Sequence, residues 1–199
     1  MQVKKKKCKE CRKPFQPFNS MTKACSVKCA LALVSKEKER KFNAETRKLK
    51  DKIKTLNELL SEAQDAFNKY IRIRDQGKPC PSCGRSEDEI IAAQGWKTGG
   101  AFDAGHYRSR GAASQLRFNL IQVWRECKSC NGGGGKYSHK DHTKTQRYRA
   151  TLVERLGEER VAQIDNDNRQ ARYTKEYARR VKRIFSKRAR IYKKLFRGD

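Results

Sequence analysis

Eight cysteines fall into two groups of four, and no other feature of this sequence constrains its fold as strongly. The C-terminal group consists of two Cys-x-x-Cys pairs, Cys80 with Cys83 and Cys127 with Cys130. Four thiolates neutralise a soft dication and a two-residue spacer lets both sulfurs of a pair reach it, so this group predicts one tetrahedral Zn²⁺ site. A four-sulfur site keeps no open coordination position. The zinc is therefore predicted to be structural, and any chemistry belongs to the stretch that it closes.

The N-terminal group predicts a second zinc site, in a module of residues 1–33. Its predicted ligands are Cys8, Cys11, Cys25 and Cys29. Ser26 is placed to cap a helix that starts inside this module. Two interpretations fit the module equally well: a finger that contacts DNA with the help of the basic run at residues 4–7, and a purely structural cap.

Composition points to a polyanionic partner. The 199 residues include 49 Lys and Arg against 22 Asp and Glu, which gives a formal net charge of +27. Nucleic acid is the leading choice, and a membrane surface is the competitor, although no apolar run approaches the roughly 20 residues that span a bilayer. No apolar segment follows the basic N-terminus, so no signal peptide is predicted. The expected location is a reducing cytoplasm, where paired cysteines are typical of zinc ligands rather than disulfides.

Polar residues inside the C-terminal zinc loop are the candidates for chemistry. They are Asp103, His106, Asn119 and Asn131. Phosphodiester hydrolysis needs an activated water, a base and a cation that stabilises charge on the phosphate. His106 fits the base, because imidazole with an ordinary pKa of about 6.5 accepts a proton at physiological pH. Its alternative role is that of a zinc ligand, although both cysteine pairs are already complete.

This arrangement resembles the HNH endonuclease motif, the ββα-metal finger, with His106 on the first strand, Asn119 in the connecting turn and Asn131 opening the helix. Four stretches are also similar to the NinG (Rap) family of lambdoid phages. They read PCPSCG at 79–84, DAGHYR at 103–108, QLRFN at 115–119 and CKSCN at 127–131. The resemblance extends along most of the chain. It implies a recombination endonuclease that cuts branched DNA such as Holliday junctions and D-loops.

The HNH resemblance also implies a catalytic divalent ion. Many HNH enzymes have an Asp or His ligand directly before the base, but here that position is Gly105 and the nearest acid is Asp103. Positions 103 and 105 share a strand face, so Asp103 keeps the sidedness but lies about 6.6 Å further along, and a bulge at Gly105 is predicted to restore its reach. Asn131 is the predicted second ligand, and such oxygen donors favour Mg²⁺ or Mn²⁺. Asn119 is expected to fix a strand-to-helix turn and to orient His106 through its backbone.

The basic and histidine side chains near this site each have two possible roles. Arg108, Arg110 and Arg117 either clamp DNA phosphates or form solvated surface, and contact is favoured for Arg108 and Arg110 because they neighbour the base. His139 and His142 are either a further metal ligand or exposed loop residues. Glu87 and Asp88, in a predicted short helix, are interpreted as surface charge rather than metal ligands.

Helices are predicted to flank the core. Thr55 and Glu58 form a capping-box pattern ahead of an apolar stripe, and Gly77 ends that helix. The stripe is predicted to pack on the zinc-held core, with dimerisation as the alternative. Three tail helices follow, of which the last begins at Thr174 and combines an apolar face with many Lys and Arg. DNA contact is preferred for it over a membrane or a partner helix.

The sequence therefore predicts an α+β protein: a small zinc-stabilised ββα-metal (HNH-like) core with an N-terminal zinc finger and long flanking helices. The predicted segments are a finger at 1–33, a charged linker and amphipathic helix at 34–78, a nuclease core at 79–150 and a basic tail at 151–199. The predicted function is a metal-dependent endonuclease on branched recombination intermediates, with two structural Zn and one catalytic Mg or Mn. Its predicted partners are branched DNA, a second copy of the chain and recombination proteins. The alternatives are a zinc-finger nucleic-acid-binding protein without catalysis and a dimeric architectural protein.

Overall fold

A computed structural model describes residues 4–94, 100–132 and 142–197. The chain divides into two compact units, Met1–Lys54 and Thr55–Asp199. The described part is α+β and mostly helical, with two small antiparallel ribbons, which confirms the predicted fold class at that level.

The first unit joins the N-terminal cysteine group to one long helix. A ribbon of β1 (Lys6–Lys7) and β2 (Pro14–Phe15) precedes α1 (Val27–Ile53). Ser26 caps α1 as predicted, and its side chain accepts a hydrogen bond from the backbone of Cys29. The predicted segment boundary after residue 33 falls inside α1. No residue of α1 is buried, as expected for a solvated, highly charged helix.

The second unit contains all the other elements. They are α2 (Leu56–Arg74), α3 (Glu87–Gln94), β3 (Phe102–His106), a 3₁₀ turn (Ser114–Leu116), β4 (Val123–Cys127), α4 (His142–Leu156), α5 (Glu158–Asp165) and α6 (Lys175–Arg197). The predicted boundary after residue 150 falls inside α4. The Thr55–Glu58 capping box is present, with the Thr55 N–H donating to the Glu58 carboxylate at 2.7 Å.

The core lies between α2, α6 and one face of the β3–β4 ribbon. The apolar stripe of α2 packs within the chain, against α6 as well as against the ribbon. The buried residues of this cluster are Ala63, Phe67, Tyr70, Ile71, Ala104, Val123, Val181, Phe185 and Ala189. The apolar face of α6 is thus taken up by a neighbouring helix of its own chain, a partner that periodicity alone does not identify.

The opposite face of the ribbon packs on α4. The fully buried Tyr148 donates its hydroxyl to the carbonyl of Gly105 at 3.0 Å and accepts the N–H of Trp124 at 3.1 Å. The Tyr148 hydroxyl therefore connects α4 to both strands. It also forms hydrogen bonds with backbone groups that have no partner within the two-stranded ribbon.

Candidate metal centres and catalytic residues

The C-terminal cysteine group closes one end of the ribbon. Cys80 and Cys83 come from the turn after α2, Cys127 ends β4, and Cys130 follows in the next turn. Their four sulfur atoms lie within 4.8 Å of one another, and those of Cys80 and Cys83 are 3.6 and 3.9 Å from that of Cys127. Sulfurs bound to one tetrahedral Zn²⁺ at about 2.3 Å stand roughly 3.8 Å apart. The geometry fits that ion.

The N-terminal cysteine group has matching geometry. The sulfur of Cys25 lies 3.5 Å from that of Cys11 and 3.7 Å from that of Cys29, and the Cys25 N–H donates to the Cys8 sulfur at 3.4 Å. All four sulfurs again fall within 4.8 Å of one another. Both predicted ligand sets are thus confirmed as groups that could hold structural metal ions.

The acid–base properties of the C-terminal sulfurs also suit a metal. A hydrogen bond with the Cys80 thiol lowers the pKa of Cys127 to about 4, whereas burial raises the pKa of Cys130 to about 12. Sulfurs this close cannot all carry charge without a cation. A bound Zn²⁺ would hold all four as thiolates, so metal binding and folding of this end of the ribbon are coupled.

His106 ends β3, at the other end of the ribbon from the cysteines. Its half-buried ring has Nε2 at 3.1 Å from the carbonyl oxygen of Arg117 and lies 6.4 Å, centroid to centroid, from Phe67. Burial lowers the pKa of His106, and the charge of Arg110 adds to that effect, while backbone carbonyls oppose it. A carbonyl can only accept, so Nε2 carries the hydrogen and the ring is neutral at pH 7.

The strand register excludes His106 as a ligand of the cysteine zinc. His106 pairs with Val123, whereas Phe102 pairs with Cys127. Four residues of strand separate the two ends by about 13 Å. This separation argues against the alternative role of His106 as a zinc ligand.

The ribbon also keeps Asp103 away from His106. The register is one-to-one from Phe102 to His106, with Asp103 opposite Glu126, so the bulge predicted at Gly105 is not formed. Three residues of strand put Asp103 about 10 Å from His106 and on the opposite face. Asp103 therefore lies towards the zinc end of the ribbon.

Asn131 lies at the zinc end as well. It sits in the turn after the last cysteine, where its N–H donates to the carbonyl of Cys127 at 2.9 Å. Asn131 and Gly132 form a turn, so among the described residues Asn131 does not open a helix as predicted. The structure therefore groups Asn131 with Asp103 at one end and leaves His106 at the other.

Asn119 organises the turn that leads into β4. Its side-chain oxygen accepts the N–H groups of Ile121 and Gln122 at 2.9 and 3.3 Å, which is an Asx turn. The turn joins the 3₁₀ turn to a strand, not a strand to a helix as predicted. The carbonyl that meets His106 belongs to Arg117 rather than to Asn119. Asn119 thus acts two residues away from that contact.

Arg108 is engaged within the chain. Its guanidinium donates to the carbonyls of Ile164 and Asp167 at 2.9 and 2.6 Å and to the side chain of Asn168 at 2.9 Å. These contacts fasten the end of β3 to the end of α5. They favour a structural role over the predicted phosphate clamp.

Among the residues that the structure describes, Arg117 also forms hydrogen bonds within the chain, whereas Arg110 does not. Arg117 donates to the side chain of Gln64 at 2.8 Å and to the carbonyl of Leu60 at 3.4 Å, and burial lowers its pKa. Arg110 is exposed and makes no hydrogen bond or ion pair with any residue that the structure describes. Of the three predicted DNA contacts, Arg110 is the one whose guanidinium remains open to a phosphate.

Sequence reasoning missed Glu126, which is fully buried beside Gly105. The Ser82 hydroxyl donates to its carboxylate, and a Cβ added at Gly105 would lie only 2.7 Å from the Glu126 Cβ. The carboxylate thus fills space next to the position where the HNH resemblance expects an acidic or histidine side chain. The available signal was a pair of charged residues, Arg125 and Glu126, inside a short strand that ends in a zinc cysteine.

The remaining candidates are resolved in part. Glu87 is not simple surface charge: it pairs with Arg125 and accepts the N–H of Gly77 at 2.7 Å. His139 lies outside the described residues. His142 is the first residue of α4, and its side chain also lies outside the described part. Within the described ranges, no helix has the length and apolar character that a bilayer crossing demands.

Comparison with known proteins identifies the family. A family model described as "Bacteriophage Lambda NinG protein" matches residues 1–195. The chain belongs to the NinG family. The relative called "Protein ninG" in Escherichia phage lambda is 33% identical over 200 residues, which cover 89% of this chain and 88% of that protein. The proteins of the same name in Salmonella phage P22 and Enterobacteria phage H19B are 33% and 34% identical, with 89% of each chain covered.

No solved structure matches this NinG-family chain. The names of its relatives state a family and no activity. What the chain does must therefore be argued from its residues.

Proposed function

We propose that this NinG-family protein is an endonuclease that hydrolyses phosphodiester bonds in branched recombination intermediates such as Holliday junctions and D-loops. The observation that carries the proposal is His106: a neutral imidazole at the open end of a cysteine-closed ribbon, held by the carbonyl of Arg117 at 3.1 Å. A general base needs a free lone pair and a pKa near or below the working pH. The lowered pKa of His106 suits this role. The branched substrate rests on the resemblance to the family.

We assign one role to each nitrogen of the His106 ring. In this proposal Nε2 donates to the Arg117 carbonyl, and Nδ1 is the atom that accepts a proton from the attacking water. Arg110 is exposed and close enough to lower the pKa of His106, so it is the candidate cation for the phosphate. The chain order of two paired strands followed by a helix packed on them agrees with the order expected of a ββα-metal core.

A catalytic Mg²⁺ or Mn²⁺ is part of the same proposal, with Asp103 and Asn131 as its ligands. Such an ion would stabilise charge on the phosphate when bound. The oxygen donors suit these ions, which commonly take one or two protein ligands beside water and substrate phosphate. In the described ranges, however, groups of three or more metal-binding side chains are formed only by the cysteines. Asp103 and Asn131 also lie at the zinc end, so the pair does not reach His106 in this structure.

That separation is the observation that favours a second candidate function, a zinc-stabilised nucleic-acid-binding protein without catalysis. A binding module needs cations and rigid folds but no base. The net charge of +27 serves either function. The two proposals differ in whether His106 matters to anything other than stability.

The deciding experiment incubates the purified, zinc-loaded chain with four-way junctions, D-loops and plain duplex, each with Mg²⁺, Mn²⁺ or EDTA. We expect cleavage of the branched substrates. His106→Ala should keep two zinc ions and near-normal junction affinity while cleavage falls on the order of 10²-fold or more, because the base is lost. Gln170→Ala, a change at an exposed polar residue between α5 and α6, is the matched control and should cleave normally.

Two results would decide for the binding function. The first is that the parent protein binds junctions tightly and cuts none of them with either metal. The second is that His106→Ala cuts as fast as the parent protein. Measuring zinc content and junction affinity in the same preparation separates lost chemistry from lost folding.

A further inference from the structure

A groove of about 640 Å³ lies between α2, α6 and the zinc end of the ribbon, outside the environment of His106. Its walls combine basic, acidic and apolar side chains. Those that matter here are Lys69, Arg72, Asp103, Arg125, Lys193 and Phe196. The volume falls in the range typical of pockets that hold a small ligand.

Arg125 forms the floor of this groove and is incompletely satisfied. The side chain is only 9% exposed, and its guanidinium carbon lies 3.5 Å from the centroid of the Phe102 ring. Nη2 donates to the carboxylate of Glu87, but Nη1 is buried and meets no acceptor among the residues that the structure describes. A buried, charged donor without an acceptor is costly, and such donors in native proteins usually have a partner. The missing acceptor points to a ligand.

The charges around Arg125 indicate the sign of that ligand. Glu87 already balances Arg125 in an ion pair. Lys69, Arg72 and Lys193 line the rim, and none of them forms an ion pair inside the described ranges. Asp103 is the carboxylate that remains to oppose these three cations. The groove therefore has an excess of positive charge around a buried donor, which suits an anion.

We propose that this groove binds a phosphate group of a DNA nucleotide, which accepts from Nη1 of Arg125 and is enclosed by Lys69 and Lys193. A guanidinium held 3.5 Å from the centre of an aromatic ring has restricted freedom and is available to phosphate oxygens, and flexible lysines at a rim can close over a ligand. Phe196 gives the groove an apolar side for the attached sugar and base. The inference depends on the proposed function only in taking DNA as the source of the phosphate, because binding requires no cleavage.

The test is a titration of the full, zinc-loaded chain without Mg²⁺ or Mn²⁺. The ligands are deoxyadenosine, dAMP and a short single-stranded oligonucleotide, followed by calorimetry and by the NMR signals of the arginine guanidinium groups. We expect dAMP and the oligonucleotide to bind and to shift the Arg125 signals, and deoxyadenosine to do neither. Binding of both would mean that the phosphate group suffices, whereas binding of the oligonucleotide alone would assign the site to a strand phosphate.

Three variants test whether binding occurs at this groove. Lys69→Ala/Lys193→Ala changes two exposed residues of the rim and should weaken binding about tenfold or more, because charge-assisted contacts are lost. Lys48→Ala/Lys50→Ala removes the same charge from exposed positions on α1 and should leave dAMP affinity unchanged. Arg125→Lys keeps the charge but loses the planar fork, and should weaken binding to a similar degree.

Clear outcomes would overturn the proposal. They are Arg125 signals that do not move at saturating oligonucleotide, or equal affinity of the rim variant and the α1 variant. Both readouts hold even if Arg125→Lys fails to fold. His106→Ala should bind as the parent does, so a failure of this inference is distinguishable from a failure of the nuclease proposal.

Discussion

Gly105 has no side chain because another residue uses the space. The buried carboxylate of Glu126 packs beside it, and the Gly105 carbonyl accepts the hydroxyl of Tyr148 on the same face of the ribbon. Glycine is required at position 105 because Glu126 packs closely against it, and not because the backbone adopts an unusual conformation. A side chain at this position would push against the buried side chain of Glu126, and packed interiors leave little room for such a shift.

Gly105→Ala should therefore destabilise the second unit. The new Cβ would stand 2.7 Å from the Cβ of Glu126, so strand or side chain must shift, and overpacking of this kind costs about 1–3 kcal/mol. Urea unfolding of the zinc-loaded protein measures the change. Gly111→Ala is the control, because an added Cβ there meets nothing within 4 Å. Equal unfolding midpoints for the two variants would show that Glu126 is free to move.

What could be predicted for single residues depended on how local the interaction is. The grouping of the cysteines follows from their spacing, and the Ser26 cap follows from its neighbours, so the sequence predicted both. The hydrogen bonds of Arg108 were not predicted, because its acceptors, including Asn168, come from a distant part of the chain. The sequence identifies the donor side chain in such a contact, but not the residue that accepts the hydrogen bond.

The β3–β4 ribbon and the cysteine group at its end form one structural element. A two-stranded ribbon is marginal in water on its own, so the cysteines at one end and Tyr148 at the centre supply what the short ladder lacks. Periodicity predicted that α2 and α6 each have an apolar face, but not that these faces cover each other. The pairing register of β3 with β4 could not be predicted either, and it separates Asp103 and Asn131 from His106.

Removing one zinc ligand should affect only its own unit. Cys130→Ala should lose one of two zinc ions, because three sulfurs hold the ion more weakly, and the ribbon end should open. Native mass spectrometry gives the zinc count, and limited proteolysis shows where the chain loosens. Cys29→Ala is the matched change in the other unit and should spare residues 55–199. Two zinc ions retained in Cys130→Ala, or intramolecular disulfides in the parent protein, would contradict the assignment.

At the scale of the whole molecule, the most prominent property is the large positive charge, since the hydrophobic cores are small. The formal net charge is +27 over 199 residues, and α1 has no buried residue, so its basic side chains stand in solvent. Burial of the apolar face of α6 against α2 leaves the many Lys and Arg of that helix at the surface. The apolar residues organise the fold and the basic residues cover it, a distribution typical of proteins that bind a polyanion.

Affinity for any duplex should consequently fall steeply with salt. Each phosphate that the protein neutralises releases condensed counterions, so the logarithm of the association constant declines against the logarithm of salt concentration with a slope of roughly −0.9 per contact. Fluorescence anisotropy at a series of salt concentrations measures that slope for duplex and for junction. If the groove holds a strand phosphate, Lys69→Ala/Lys193→Ala should flatten the slope by about one to two units, because two contacts are removed. Plots for the parent protein that are flat would mean that binding is not dominated by phosphates, and the basic surface would then need a different partner.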